Sequence, residues 1–150
     1  VATLRTPLAE DLSLPTALKQ LADDFEHATQ LQIHTSMPDT LPPLPDSQRI
    51  ALYRAAQEAL TNVGRHARAG TAWLALEISD EAATLTVSDD GVGPPEGIEG
   101  DGFGLRGMRE RAAQLGGEVG LTARPEGGTK LVFRLPLRPD YARAGESHND

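Results

Sequence analysis

Apolar positions recur along this chain with two periods, and the switches between them mark out the elements. Leu14, Leu18, Leu21 and Phe25 return at helical spacing, which predicts a helix over 14–29. Ser13 suits its N-cap and Pro15 its first turn. Leu31, Ile33 and Thr35 alternate with polar residues as a short strand. Pro38, Pro42, Pro43 and Pro45 make 37–45 an extended linker. Asp46 reads as the cap of a second helix that runs to about Ala67. Strand periodicity returns at Ala72, Leu74, Leu76 and Ile78, and again at Leu85 and Val87. Residues 89–103 are rich in Gly and Pro and have no apolar period. Leu105, Met108, Ala112 and Leu115 mark a third helix, ended by Gly116–Gly117. Residues 118–123 and 129–137 read as the arms of a hairpin, the second with Leu131, Phe133, Leu135 and Leu137 on one face. Helices and hairpins are segregated rather than strictly alternating. The fold class expected is therefore α+β: a two-layer α/β sandwich, with a mixed β-sheet carrying helices on one face.

Length adds that 150 residues make one ordinary domain, large enough to bury a core without staples. The absence of Cys removes disulfides and thiolate metal sites, and fits a reducing cytoplasm. No apolar run approaches the roughly 20 residues of a membrane span, and no signal peptide is seen. A cytoplasmic location without direct membrane contact is expected. The first residue is Val1 rather than Met, so residues 1–12 are expected to end a linker from an upstream segment. The domain proper is expected over 13–137, with a frayed tail over 138–150. A formal net charge of -8 argues against general nucleic-acid binding. It also disfavours anionic ligands unless positive groups gather in one place.

One stretch can gather them. Residues 57–67 continue an apolar helical stripe of Tyr53, Ala56, Leu60, Val63 and Ala67. At 100° per residue, Glu58, Asn62, Arg65 and His66 fall together on the opposite face. Carboxylate and amide oxygens suit Mg²⁺, directly or through its waters. Arginine and histidine suit phosphate oxygens. A solvated face with an Arg54–Glu58 pair fits the same spacing. It leaves unexplained the cluster of Thr61, Asn62 and Gly64, since Gly alone costs about 1 kcal/mol against Ala in mid-helix.

Two glycine-rich segments follow. Asp89-Asp90-Gly91-Val92-Gly93 ends a strand, where Asp-Gly is at the least a turn. Gly102-Phe103-Gly104-Leu105-Arg106-Gly107 fits Gly-x-Gly-x-x-Gly, but it does not follow a strand as a dinucleotide fingerprint must. It does open a helix, whose backbone N–H groups can meet phosphate. Arg106 and Arg109 add local positive charge there, or are plain surface arginines.

Gln57 to Ala67 closely resembles the asparagine box of histidine kinases of the nitrate-sensor type. The resemblance extends to Asp89-x-Gly91-x-Gly93 as a first glycine box and to Gly102–Ala113 as a second. Gly127-Gly128-Thr129 resembles the closing Gly-Thr. Four motifs in this order cover about 57–130. The eight residues between Gly93 and Gly102 imply a short lid over the nucleotide, and the Phe-rich box of other kinase types is missing. What the resemblance implies is an ATP-binding sandwich shared with gyrase and certain chaperones. Asn62 would hold Mg²⁺ on the phosphates. Glu58 would activate the attacking group or order the metal's water, and Arg65 and His66 would lie near the phosphates. Asp89 would accept the adenine amine, with Gly91 and Gly93 giving the base close access. Gly102, Gly104, Leu105 and Arg106 would meet the nucleotide at the third helix. Thr129 would support Asp89 through water. The reaction implied is transfer of the γ-phosphoryl group of ATP to a histidine on a dimerisation helix, and onward to a response regulator. None of His27, His34, His66 and His148 has the helical His-Asp or His-Glu context of that acceptor. The acceptor helices are expected upstream, in a parent kinase that is soluble or anchored in the inner membrane. A serine kinase of the anti-sigma type and a non-catalytic module set by nucleotide are the competing readings.

Overall fold

The computed structural model describes residues 13–94 and 105–137, the side chains of His66 and Ala67 excepted. Its elements in chain order are helix α1 (Leu14–Thr29), strand β1 (Gln32–Ser36), helix α2 (Asp46–Asn62), a π-helical turn (Val63–Ala67), β2 (Thr71–Ile78), β3 (Ala82–Asp89), α3 (Leu105–Gln114), β4 (Glu118–Ala123) and β5 (Thr129–Pro136). The strands form one sheet in the order β1-β2-β3-β5-β4. β1 runs parallel to β2, and the other three pairings are antiparallel. The sheet is mixed, as expected.

Period-two alternation turns one face of the sheet inward. Leu74, Val87, Leu131 and Leu121 are joined in register across four strands. Leu76, Leu85, Phe133 and Val119 make the next such row. The helices cover this face. α1 buries Leu14, Ala17, Leu18 and Leu21, and α2 buries Leu52, Ala55, Ala56, Ala59 and Leu60. α3 adds Leu105, Met108 and Ala112. The opposite face, with Trp73, Ala75, Thr86 and Ser88, carries no helix among the described residues and is half-buried. The result is a two-layer sandwich with α2 central in the helical layer.

The caps divide. Ser13 Oγ accepts the Thr16 N–H at 3.2 Å, with Pro15 in the first turn, as the sequence predicts. Asp46 does not cap α2: Pro45 holds the cap position, and Asp46 is the first helical residue, paired with Arg49 at 2.7 Å. Its carboxylate still complements the positive end of the helix. The β2–β3 connection is also tighter than expected. Ser79 Oγ accepts the N–H groups of Glu81 and Ala82, and β3 begins at Ala82. Ala82, Ala83 and Thr84 carry weak strand signals of their own. They are strand because β5 pairs with all three and β2 with Ala83 and Thr84.

Candidate functional site

The alternation that buries Ala83, Leu85 and Val87 carries Asp89 to the same inward face. In β5 it carries Thr129 inward with Leu131 and Phe133. Two polar residues thus stand at one end of an otherwise apolar face. α2 brings Asn62 beside them. Asp89, Thr129, Asn62 and Gly93 share a cleft whose remaining described walls are Ala59, Val63, Val87, Leu121 and Leu131. Among the described lining residues Asp89 alone is charged, and it is 3% exposed.

Burial pushes the Asp89 carboxyl above the usual carboxylate range. The N–H groups of Gly91 and Thr129 and the Arg124 guanidinium oppose that shift, and the neighbouring Asp90 adds to it. The Gly91 N–H donates to Asp89 Oδ1 at 2.8 Å. Thr129 lines the cleft beside Asp89 and is itself buried. Asp90 points the other way. Its Oδ1 accepts the N–H groups of Gly70 and Thr71, each at 3.0 Å, and the Thr71 N–H chiefly holds its carboxyl below the usual range.

The β4–β5 turn closes on this segment. Gly128, at φ +100°, lies so close that a Cβ on it would sit 1.9 Å from the Asp89 carbonyl oxygen. Only glycine fits there. Gly93 adopts φ +90°, also a conformation that favours glycine.

The helix past Asn62 departs from expectation. It does not continue as α-helix to Ala67 but widens into a π-helical turn from Val63, ended by Arg68 in the left-handed region at φ 53°. A π-turn closes on i+5, so a phase counted at 100° per residue fails beyond Val63. This accommodates Gly64 in mid-helix. Arg65 is exposed. The His66 side chain lies outside the described residues. Glu58 lies one turn before Asn62 and is 40% exposed. It pairs with Arg111 of α3 at 3.4 Å, a bridge between helices rather than the local Arg54–Glu58 pair. Leu105 is buried in the core at 1% exposure, so only its backbone can face a ligand at the start of α3. Arg106 and Arg109 are exposed on that helix. Gly102 and Gly104, with all of the expected lid except Pro94, lie outside the described residues.

A cleft with apolar walls, a buried carboxylate that only accepts hydrogen bonds and an asparagine in its lining suits a flat heteroaromatic ring bearing an amine. Comparison with known proteins agrees. The sequence profile of the "Histidine kinase-, DNA gyrase B-, and HSP90-like ATPase" family matches residues 47–139. The chain belongs to this ATP-binding family.

Its relatives narrow the branch. It is 38% identical over 136 residues to the signal transduction histidine-protein kinase/phosphatase UhpB of Salmonella typhimurium, covering 90% of this chain and 27% of that protein. It is 33% identical to the nitrate/nitrite sensor protein NarX of Escherichia coli, covering 99% of this chain and 25% of NarX. The chain thus spans about a quarter of these relatives. Among solved structures, the blue-light activated histidine kinase EL346 of Erythrobacter litoralis superposes with a TM-score of 0.74 at 26% identity, over 90% of this chain and 45% of that one. The ATP-binding domain of PrrB from Mycobacterium tuberculosis gives 0.61 at 26% identity, over 83% and 94%. This is the ATP-binding catalytic domain of sensor histidine kinases. No described helix is long and apolar enough to cross a membrane.

Two features of the site escaped sequence reasoning. Arg124 donates to the Asp89 carbonyl at 2.9 Å, and Arg111 reaches Glu58. Neither bears a local signal, because both are set by contacts between segments far apart in sequence.

Proposed function

We propose that this chain binds MgATP in the Asp89 cleft and serves as the catalytic half of a protein histidine kinase. The γ-phosphoryl group would pass to a histidine on dimerisation helices supplied by another part of the parent protein, and from there to a response regulator. The observation that carries the reading is the Asp89 carboxylate, buried in an apolar cleft that Asn62 also lines. A buried carboxylate can accept the adenine amine but has nothing to offer the guanine carbonyl. Asn62 would hold Mg²⁺ together with phosphate oxygens, in the manner of a hard cation that keeps several of its waters. The metal, when bound, neutralises charge on the phosphates. Glu58 is proposed to orient or deprotonate the attacking group, and its bridge to Arg111 keeps it within the helical layer. Arg65 and His66 are proposed near the phosphates, as are Gly102, Gly104, Arg106 and the Leu105 backbone at the start of α3. Gly91 and Gly93 would line the base and Thr129 the floor. The matches to sensor kinases favour this branch over the serine kinase of the anti-sigma type. A cytoplasmic location, with or without a membrane anchor on the parent, belongs to the same proposal.

Calorimetric titration tests the base reading. ATP is expected to bind better than GTP, and Asp89→Asn to narrow the gap. Equal affinity for ATP and GTP in the parent chain overturns it. Incubation with radiolabelled ATP tests the division of labour. No label is expected on this chain alone, because phosphoryl transfer needs an in-line nucleophile and no acceptor imidazole is supplied. An acid-labile, base-stable label on the isolated chain would overturn it.

A further inference from the structure

The face of the sheet opposite the cleft carries a row that the nucleotide reading does not use. His34, Trp73, Ser88, Lys130 and Thr122 are in register across all five strands. The His34 and Trp73 rings stack with centroids 6.1 Å apart and planes 26° from parallel. The Arg124 guanidinium, from the turn after β4, lies over Trp73 at 4.7 Å from the ring centre. Its Nη1 donates to two main-chain carbonyls, that of Asp89 at 2.9 Å and that of Gly127 at 3.1 Å. Nη2 reaches Glu126 at 3.5 Å, and the side chain is 19% exposed.

An arginine on a hairpin turn usually projects into solvent. This one is packed on an aromatic ring and spends its donors on the backbone of the residue whose carboxylate floors the cleft. The Asp89 peptide is then held from three sides. Gly128 presses on its carbonyl, Arg124 binds the same oxygen, and Asp90 ties the following residue to the start of β2. Holding the backbone narrows where the inward carboxylate can lie.

We propose that Arg124 is a positioning residue for base recognition. From the face opposite the cleft, through the carbonyls of Asp89 and Gly127, it fixes the Asp89 carboxylate and so the preference for adenine over guanine. The proposal rests on the reading of Asp89 as the base acceptor. Arginine suits the place because its flat cation both stacks on Trp73 and donates in the plane of the turn. One nitrogen makes both carbonyl contacts, so an ammonium group can replace them, though without the same stacking.

The test is calorimetric titration of the 150-residue chain with MgATP and MgGTP, with melting temperatures recorded alongside. Arg124→Ala is expected to weaken ATP about tenfold, the scale of one hydrogen bond from a charged donor, with little change for GTP. Arg124→Lys is expected to recover much of the ATP-to-GTP ratio. Asp89→Asn combined with Arg124→Ala is expected to discriminate no worse than Asp89→Asn alone, because the two act through one carboxylate. Where Arg124→Ala does not fold, Trp73→Leu decides: it removes the ring under the guanidinium and should lower the ratio while the chain stays folded. A fall in stability with an unchanged ratio, or equal losses for ATP and GTP, overturns the proposal and makes Arg124 a turn staple. If Asp89→Asn itself leaves the ratio unchanged, the base reading falls and the proposal with it.

Discussion

Gly128→Ala puts the packing of the cleft floor to a direct test. The new Cβ would lie 1.9 Å from the Asp89 carbonyl oxygen, 2.7 Å from its carbon and 2.9 Å from Asp90 Cα. Real Cβ atoms essentially never approach closer than 3.0 Å, so the segments must part by 3.0 − 1.9 = 1.1 Å. All three contacts are with backbone, and no rotamer change relieves them. The gap opens at the residue proposed to read the base. A misplaced hydrogen bond to a charged group costs about 1.5–3 kcal/mol, roughly tenfold to a hundredfold in ATP affinity. The φ of +100° adds about 1–2 kcal/mol of strain for a residue with a side chain. Gly127→Ala isolates that second effect. Gly127 has φ +108° but nothing within 4 Å of its Cβ position, so it should lose only about 1–2 kcal/mol of stability and keep its ATP affinity. Gly117→Ala isolates the first effect away from the cleft. Its Cβ would meet the Arg134 carbonyl oxygen at 2.1 Å. It should destabilise strongly yet leave the affinity of the folded fraction intact. Urea unfolding and ATP titration on the three variants read both quantities. If Gly128→Ala matches Gly127→Ala in both assays, the close packing of the turn on Asp89 is not what shapes the floor, and the reasoning fails.

Further expectations follow from the same geometry. Because burial raises the Asp89 pKa, acidification should erode the ATP-to-GTP preference at a higher pH than an ordinary carboxylate would titrate, and Asp89→Asn should flatten that limb of the profile. The sign for folding is opposite. A raised folded-state pKa contributes stability that is present below the unfolded value and lost as pH rises through the folded one. The ionised carboxylate therefore costs stability at neutral pH, and unfolding curves measured against pH for parent and Asp89→Asn should diverge in that direction. Asn62→Ala should weaken MgATP on the order of tenfold or more while leaving ATP in excess chelator unchanged; equal losses in the two titrations would remove the metal role. Phe133→Ala, at the centre of β5 and fully buried, should cost about 3–5 kcal/mol in urea unfolding through the cavity left under α2, and a loss under about 1 kcal/mol would contradict that placement.

The sequence by itself determined the elements and the faces they bury. Period-two alternation is local, so Val87 inward already means Asp89 inward, and Leu131 inward means Thr129 inward. That was enough to put a carboxylate and a hydroxyl on the core side of the sheet. The spacing of Glu58 and Asn62 on one helix was local in the same sense. The fold class followed from the segregation of these periods. What the tertiary structure alone decided are the relations between segments distant in the chain. The register of β3 against β5 sets Gly128 on the Asp89 carbonyl. The turn after β4 brings Arg124 to that oxygen and onto Trp73, and the approach of α3 to α2 gives Glu58 its partner Arg111. The π-turn after Asn62 belongs here too, because Thr61, Asn62 and Gly64 weaken an α-helix without specifying what replaces it. Strand pairing satisfies main-chain groups whatever the side chains are. The pairs it creates therefore leave no periodic trace in the sequence, and only the assembled sheet shows which carbonyl an arginine will reach.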